Sequence, residues 1–176
     1  MLDLLERTYR TTEKVLADIP ADRWTAPSPC AEWIVRDVAG HLVWAMDTFA
    51  RSVAGEPILD SYELGDDPVA DYRAVADRCL AAFADPAVLA AEHPFPPGPT
   101  PGSVIATISL SESLVHGWDL AKGAGLPYEP DPDAVVLLRA GQDDAPPPAG
   151  MYAPPVPVPA GASPFVVLLA YAGRVA

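Results

Sequence analysis

Lysine is nearly missing from this chain: Lys14 and Lys122 are the only two, and 11 basic side chains stand against 24 acidic ones, a net charge of −13. Binding to a nucleic-acid backbone relies on Lys and Arg neutralising phosphates, and attraction to anionic lipid needs basic clusters. The charge balance therefore predicts no nucleic-acid partner and no membrane partner. Cysteine is equally sparse. Cys30 and Cys79 are too few for a disulfide framework and fit no Cys-based metal spacing. Both read first as small buried apolar residues, Cys30 with a reactive thiol as its alternative. No apolar run approaches the ~20 residues that span a bilayer. The opening stretch MLDLLERTYRTTEKV alternates charged with apolar residues and lacks the apolar core of a signal peptide, so a cytoplasmic protein is expected. There is no Gly-rich phosphate loop after a strand, no G-x-S-x-G and no H-E-x-x-H.

What is present is an ordinary globular composition, with 50% hydrophobic and 20% charged residues in a chain of 176. That length suits one domain, residues 1–176, with one sizeable core. Leu2, Leu5, Tyr9, Thr12, Leu16 and Ile19 recur near a 3.6-residue period and predict a first helix over 2–18, ended by Pro20. A second helix is expected over 35–53, with Val35, Val38, Leu42, Met46, Phe49 and Val53 inward and Gly55 and Pro57 as its stop. A third runs over 68–84 with Pro68 in its first turn. HPFPPGPTPG, residues 93–102, can be neither helix interior nor central strand and reads as a stiff connection. The fourth helix is expected to open at Ser103 as N-cap and to reach Lys122, before Gly123 and Gly125. A short helix follows near 131–140. Residues 145–164 are rich in Pro, Ala and Gly, and Met151, Tyr152, Val156 and Val158 favour a packed, extended arm over a free linker. A short apolar helix in SPFVVLLAYAGR returns to the core. With no repeat and long loops between four main helices, the class is all-α.

Polar residues interrupt the fourth helix where burial is expected. Val104, Ile108, Glu112, Val115, His116 and Asp119 fall along one stripe, and Glu112 and His116 stand four apart, on one face. An unpaired buried carboxylate is costly, and its usual escapes are a partner charge or a metal. His41, at the margin of the second helix's apolar stripe, offers a third ligand from a facing helix. Two imidazoles and one carboxylate suit Zn²⁺ with an open fourth position, and Ni²⁺, Fe²⁺ or Mn²⁺ would be served by the same set. The competing reading is structural: Glu112 and His116 paired with each other, or with Arg36. Asp37, one turn before His41, and Asp119, three after His116, are candidates to orient an imidazole, or else to pair with Arg36. Trp33 and Trp118 line either a pocket or the core, and His93 reads as a surface residue.

SPCAEWIVRDVAGHLVW, followed about 70 residues later by LSESLVHGWDLA and then by VPVPAGASP and LLAYAGR, resembles actinobacterial DinB-like metal-binding proteins related to the N-terminal domain of mycothiol-dependent maleylpyruvate isomerase. The resemblance implies an up-down four-helix bundle with an irregular proline-rich C-terminal segment and a short terminal helix. It implies one divalent metal ion, usually zinc, held by His41, Glu112 and His116. It further implies that the metal activates a low-molecular-weight thiol such as mycothiol, as a cosubstrate in transferase or isomerase chemistry, on a small-molecule substrate. The alternative is a metal-binding protein without thiol chemistry, a biosynthetic accessory, cyclase or small-molecule binder. The isomerase carries a further C-terminal domain that this chain has no room for, which weighs against maleylpyruvate as substrate. Ile34 stands where the family often has Asp, Ser or Thr as a helix cap, leaving the start of the second helix open. No catalytic residue beyond the ligand set is singled out, and the state of assembly stays open between monomer and homodimer.

Overall fold

The computed structural model describes residues 1–142 and 152–176. Seven α-helices carry the described part of the chain: α1 (Leu2–Asp18), α2 (Val35–Ala54), α3 (Pro68–Phe83), α4 (Pro86–Ala90), α5 (Gly102–Ala124), α6 (Pro132–Ala140) and α7 (Pro164–Tyr171). One 3₁₀ turn, Ala21–Arg23, follows α1, and the strands β1 (Glu92–His93) and β2 (Thr100–Pro101) precede α5. The described residues are all-α apart from that antiparallel pair of strands, in which Glu92 faces Pro101 and His93 faces Thr100.

Start and stop signals act where simple chemistry requires them. Asp67, Asp85, Asp131 and Ser163 each accept a backbone N–H of the first turn, and a proline follows each cap. Gly55 and Gly125 end α2 and α5 at φ of 69° and 77°, a region that favours glycine. Ile34 has no capping oxygen, yet α2 begins directly after it. The Asp37 carboxylate reaches back to accept the Ile34 N–H at 3.0 Å, which supplies one half of a capping box.

α5 lies at the centre. It packs against α1 and α2 and also touches α3, α4 and α6, while α2 packs on α3 and α1 on α3. Its buried residues surround the whole helix axis from Ser113 to Ala121, so it has no broad solvent face to carry polar groups. Those inside it are therefore paired. The Tyr9 and Ser109 hydroxyls lie 2.7 Å apart, the Tyr72 hydroxyl lies 2.8 Å from that of Ser113, and Tyr128 donates to the Leu114 carbonyl. Gly123 lets α5 approach α2 closely. A Cβ there would meet Val35 Cγ2 at 2.8 Å and the Pro27 carbonyl oxygen at 3.1 Å.

Several expectations need correction. α5 opens at Gly102, with Pro101 as its cap residue, and not with Ser103 as N-cap. A Cβ at Gly102 would lie 2.1 Å from the Val88 carbonyl oxygen, so tight contact with α4 fixes that first residue. Val104 is 44% exposed and lies outside the buried stripe. The stiff 93–102 connection holds β2 and the second residue of β1, and α4 was not anticipated. In the arm, Met151 falls outside the described residues. Tyr152 packs on the core and the Val156 N–H bonds the Ala170 carbonyl, but Val158 is exposed. No helix among the described residues is long and apolar enough to cross a membrane.

Candidate metal centre

His41 projects from α2 towards Glu112 and His116, which stand one turn apart on α5. Glu112 Oε2 lies 3.3 Å from His41 Nε2 and 3.3 Å from His116 Nε2. One donor atom from each residue falls within 4.8 Å of the others. The side chains grade inward from His41, 28% exposed, through Glu112 at 12% to His116 at 6%.

A second layer fixes His116. Its Nδ1–H donates to Asp119 Oδ2 at 2.9 Å, and Asp119 is fully buried. Arg174, arriving just after α7, clamps Asp119 with Nε at 3.3 Å and Nη2 at 2.8 Å. The Cys30 thiol also donates to Asp119 Oδ2, at 3.2 Å, and Arg174 Nη2 lies 3.3 Å from Cys30 Sγ. Cys30 thus joins a separate cluster with Asp119 and His116, and only His116 belongs to both. With Nδ1 engaged by Asp119, the His116 nitrogen free for the triad is Nε2.

The electrostatics follow from these contacts. Burial alone would push the Glu112 carboxyl up, but His116 and then His41 hold it well below the usual carboxylate range. Burial would push His116 down, and its bonds to Asp119, Cys30 and Glu112 instead hold its proton well above the usual histidine range. Asp119 is likewise kept low against its burial by His116 and Arg174. A neutral His116 with Nδ1–H given to Asp119 would aim the Nε2 lone pair at a carboxylate oxygen, which repels. The converging atoms therefore call for a positive charge between them, either a proton or a metal cation. Two imidazole nitrogens and a carboxylate oxygen are a donor set that fits a divalent metal ion.

The triad forms part of the wall of a cavity of about 770 Å³, together with Cys30, Trp33, Trp44, Phe49, Phe95, Ile108, Tyr152 and Arg174. His41 is flanked by Trp33 and Trp44, with ring centroids 5.0 and 5.9 Å away. Of the two tryptophans weighed earlier, Trp33 lines the cavity and Trp118 is buried. Asp37 caps α2, and Asp119 is the carboxylate against a triad imidazole. Arg36 donates to the carbonyls of Leu64 and Gly65 and pairs with no site residue. His93 is half-buried, bonds the Val88 carbonyl and stands apart from the triad. Cys79 is buried, as expected of a small core residue, but Cys30 faces the cavity. Arg174 escaped the sequence reading, as did the place of Tyr152 in the cavity wall. The one available signal was an arginine closing the apolar run SPFVVLLAYAGR.

The family model described as the mycothiol maleylpyruvate isomerase N-terminal domain matches residues 5–121. The chain belongs to that family. The portion matched to the mycothiol maleylpyruvate isomerase N-terminal domain contains His41, Glu112, His116, Cys30 and Asp119, while Tyr152 and Arg174 lie beyond it. Two relatives, both uncharacterized proteins of Mycobacterium tuberculosis from strains CDC 1551 / Oshkosh and ATCC 25618 / H37Rv, are each 31% identical over 174 residues, covering 96% of this chain and 94% of theirs. No solved structure matches the chain.

Proposed function

We propose that this chain is a DinB-like up-down four-helix bundle, a single domain over 1–176, that holds one divalent metal ion through His41, Glu112 and His116. Zinc is the first choice of metal, and the protein is a thiol-dependent transferase or isomerase using a low-molecular-weight thiol such as mycothiol. The observation that carries this reading is the meeting of three donor atoms from α2 and α5 within 4.8 Å at a cavity wall. A bound divalent cation would supply the charge that deprotonates a coordinated thiol, whose free pKa is near ~8.5. Around it, Asp119 fixes the tautomer of His116, and Arg174 fixes Asp119. Cys30 stands on the Asp119 side of His116, outside the triad, which favours an external thiol as the sulfur donor. Membership of the mycothiol maleylpyruvate isomerase N-terminal domain family supports the same assignment. The proposed protein works in the cytoplasm on a small molecule, without nucleic-acid or membrane partners.

A second reading, metal and small-molecule binding without thiol chemistry, is favoured by one observation. Beyond the triad, the guanidinium and the phenol on the cavity wall are already engaged: Arg174 with Asp119, and the Tyr152 hydroxyl with Ser111. Metal analysis and cobalt spectroscopy test both readings. Protein purified without chelator carries about one divalent ion per chain, His116→Ala loses it and His93→Ala keeps it. Stoichiometric metal in His116→Ala overturns the ligand set. In cobalt-substituted protein an added thiol produces a sulfur-to-metal charge-transfer band. A band present before thiol is added, and lost in Cys30→Ser, removes the basis for an external thiol.

A further inference from the structure

We infer that the cavity beside the triad accepts a co-substrate with an uncharged, flat, aromatic-sized body and rejects dicarboxylates. This rests on the reading of His41, Glu112 and His116 as metal ligands and names the substrate class of that site. Trp33, Trp44, Phe49, Phe95, Ile108 and Tyr152 form an apolar wall around about 770 Å³. That volume falls within the range of ~300–1,000 Å³ typical of small-molecule pockets.

Charge bookkeeping decides against an anionic body. A divalent ion with the Glu112 carboxylate leaves one positive charge, which one thiolate neutralises. Among the described residues lining the cavity, the only permanent cation is Arg174. Its Nε and Nη2 are held by Asp119, its Nη1 by the Ala172 carbonyl, and Nη2 also reaches Cys30 Sγ. No guanidinium edge is left to form a paired contact with a carboxylate. Two polar tips of the aromatic wall are occupied too: Trp44 Nε1 donates to the Leu59 carbonyl and the Tyr152 hydroxyl lies 3.3 Å from that of Ser111, which leaves the Trp33 indole and the Thr48 hydroxyl as uncharged donors on the wall. A carboxylate pressed against this wall would be buried without a cationic partner, which is costly. The net charge of −13 further repels polyanions at a distance.

The test uses the cobalt-loaded full chain and the uncharged fluorophore N-phenyl-1-naphthylamine. Two naphthalenes of similar size, neutral 2-naphthylmethanol and dianionic naphthalene-2,6-dicarboxylate, then compete for its site. The fluorophore is expected to brighten on binding, and the neutral competitor to displace it at least about ten-fold more effectively, as a minimum for an unpaired buried carboxylate. Phe95→Arg, on a loop at the cavity wall, should erase most of that preference and so locate binding there. Equal or stronger competition by the dicarboxylate overturns the inference, as does absence of fluorophore binding. Metal content and the thiol charge-transfer band are read on the same samples. A band with dicarboxylate preference sinks the inference and leaves the thiol reading intact. Neutral preference in a metal-loaded chain that gives no thiol band does the reverse.

Discussion

Replacing Asp119 with Asn separates the two jobs its carboxylate performs. Asn keeps the volume and can still accept the His116 Nδ1–H through its amide oxygen. It cannot neutralise Arg174, whose side chain is 8% exposed. Breaking a buried ion pair from one side costs about 3–5 kcal/mol, because the remaining charge is stranded. For a chain of this size each kcal/mol corresponds to roughly 2–4 °C, so the thermal midpoint of the metal-free protein should fall by about 6–20 °C. Metal affinity should fall as well, by about 10–100-fold, as when other groups that orient ligand imidazoles are removed. Affinity is best measured by competition with a chromophoric chelator at alkaline pH, where protons compete less for His116 Nε2. The companion variant Asp119→Asn with Arg174→Met removes both charges. It should recover most of the stability, because an apolar replacement of a buried pair is often neutral, but not the metal affinity. If Asp119→Asn leaves both the midpoint and the affinity unchanged, the layered account of the site is wrong. If the double variant regains affinity along with stability, Asp119 acts on the metal only through the fold.

In the metal-free protein His116 keeps its proton well above the usual histidine range, and a metal must displace it. Apparent affinity should therefore weaken as pH falls towards and through neutrality, by up to ~10-fold per pH unit for each proton displaced, and a flat profile would refute the role of Nε2. Gly123→Ala should destabilise the chain by ~1–3 kcal/mol through the 2.8 Å approach of its Cβ to Val35 Cγ2, and a thermal midpoint equal to that of the parent would contradict the close α2–α5 contact. Given a net charge of −13, no mobility shift with duplex DNA is expected at physiological ionic strength, and a salt-dependent shift would refute this.

Local chemistry made much of the fold legible. Pro68, Gly55 and Gly125 mark helix ends through fixed or positive φ, and the starts of α2 and α3 fall at Val35 and Pro68 as expected. The start of α5 was misjudged because Ser103 is an acceptable cap, while the determinant is Gly102 against the Val88 carbonyl. Nothing in the local sequence announces that neighbour. The meeting of Glu112 with His116 was readable from i, i+4 spacing, and that with His41 from the inward stripe of α2. Arg174 was not readable, since its partner lies 55 residues earlier and its flanks are apolar. The cavity was equally hidden, because its wall joins residues as distant as Trp33 and Tyr152.

The reach of Arg174 has a consequence for biosynthesis. α2 and α5 can pack once Ala124 has left the ribosome, so the three donor atoms can meet while later residues are still being added. The guanidinium partner of Asp119 lies 55 residues further along the chain and emerges later. During that interval the Asp119 carboxylate has the Cys30 thiol and His116 as partners but no guanidinium. The contact between Cys30 and Arg174 closes over 144 residues, and such long closures come late in folding because their entropy cost precedes their reward. A growing chain thus passes through a stage in which the triad is assembled but its support is not, and a pulse of metal delivered then would meet a looser site than the finished one.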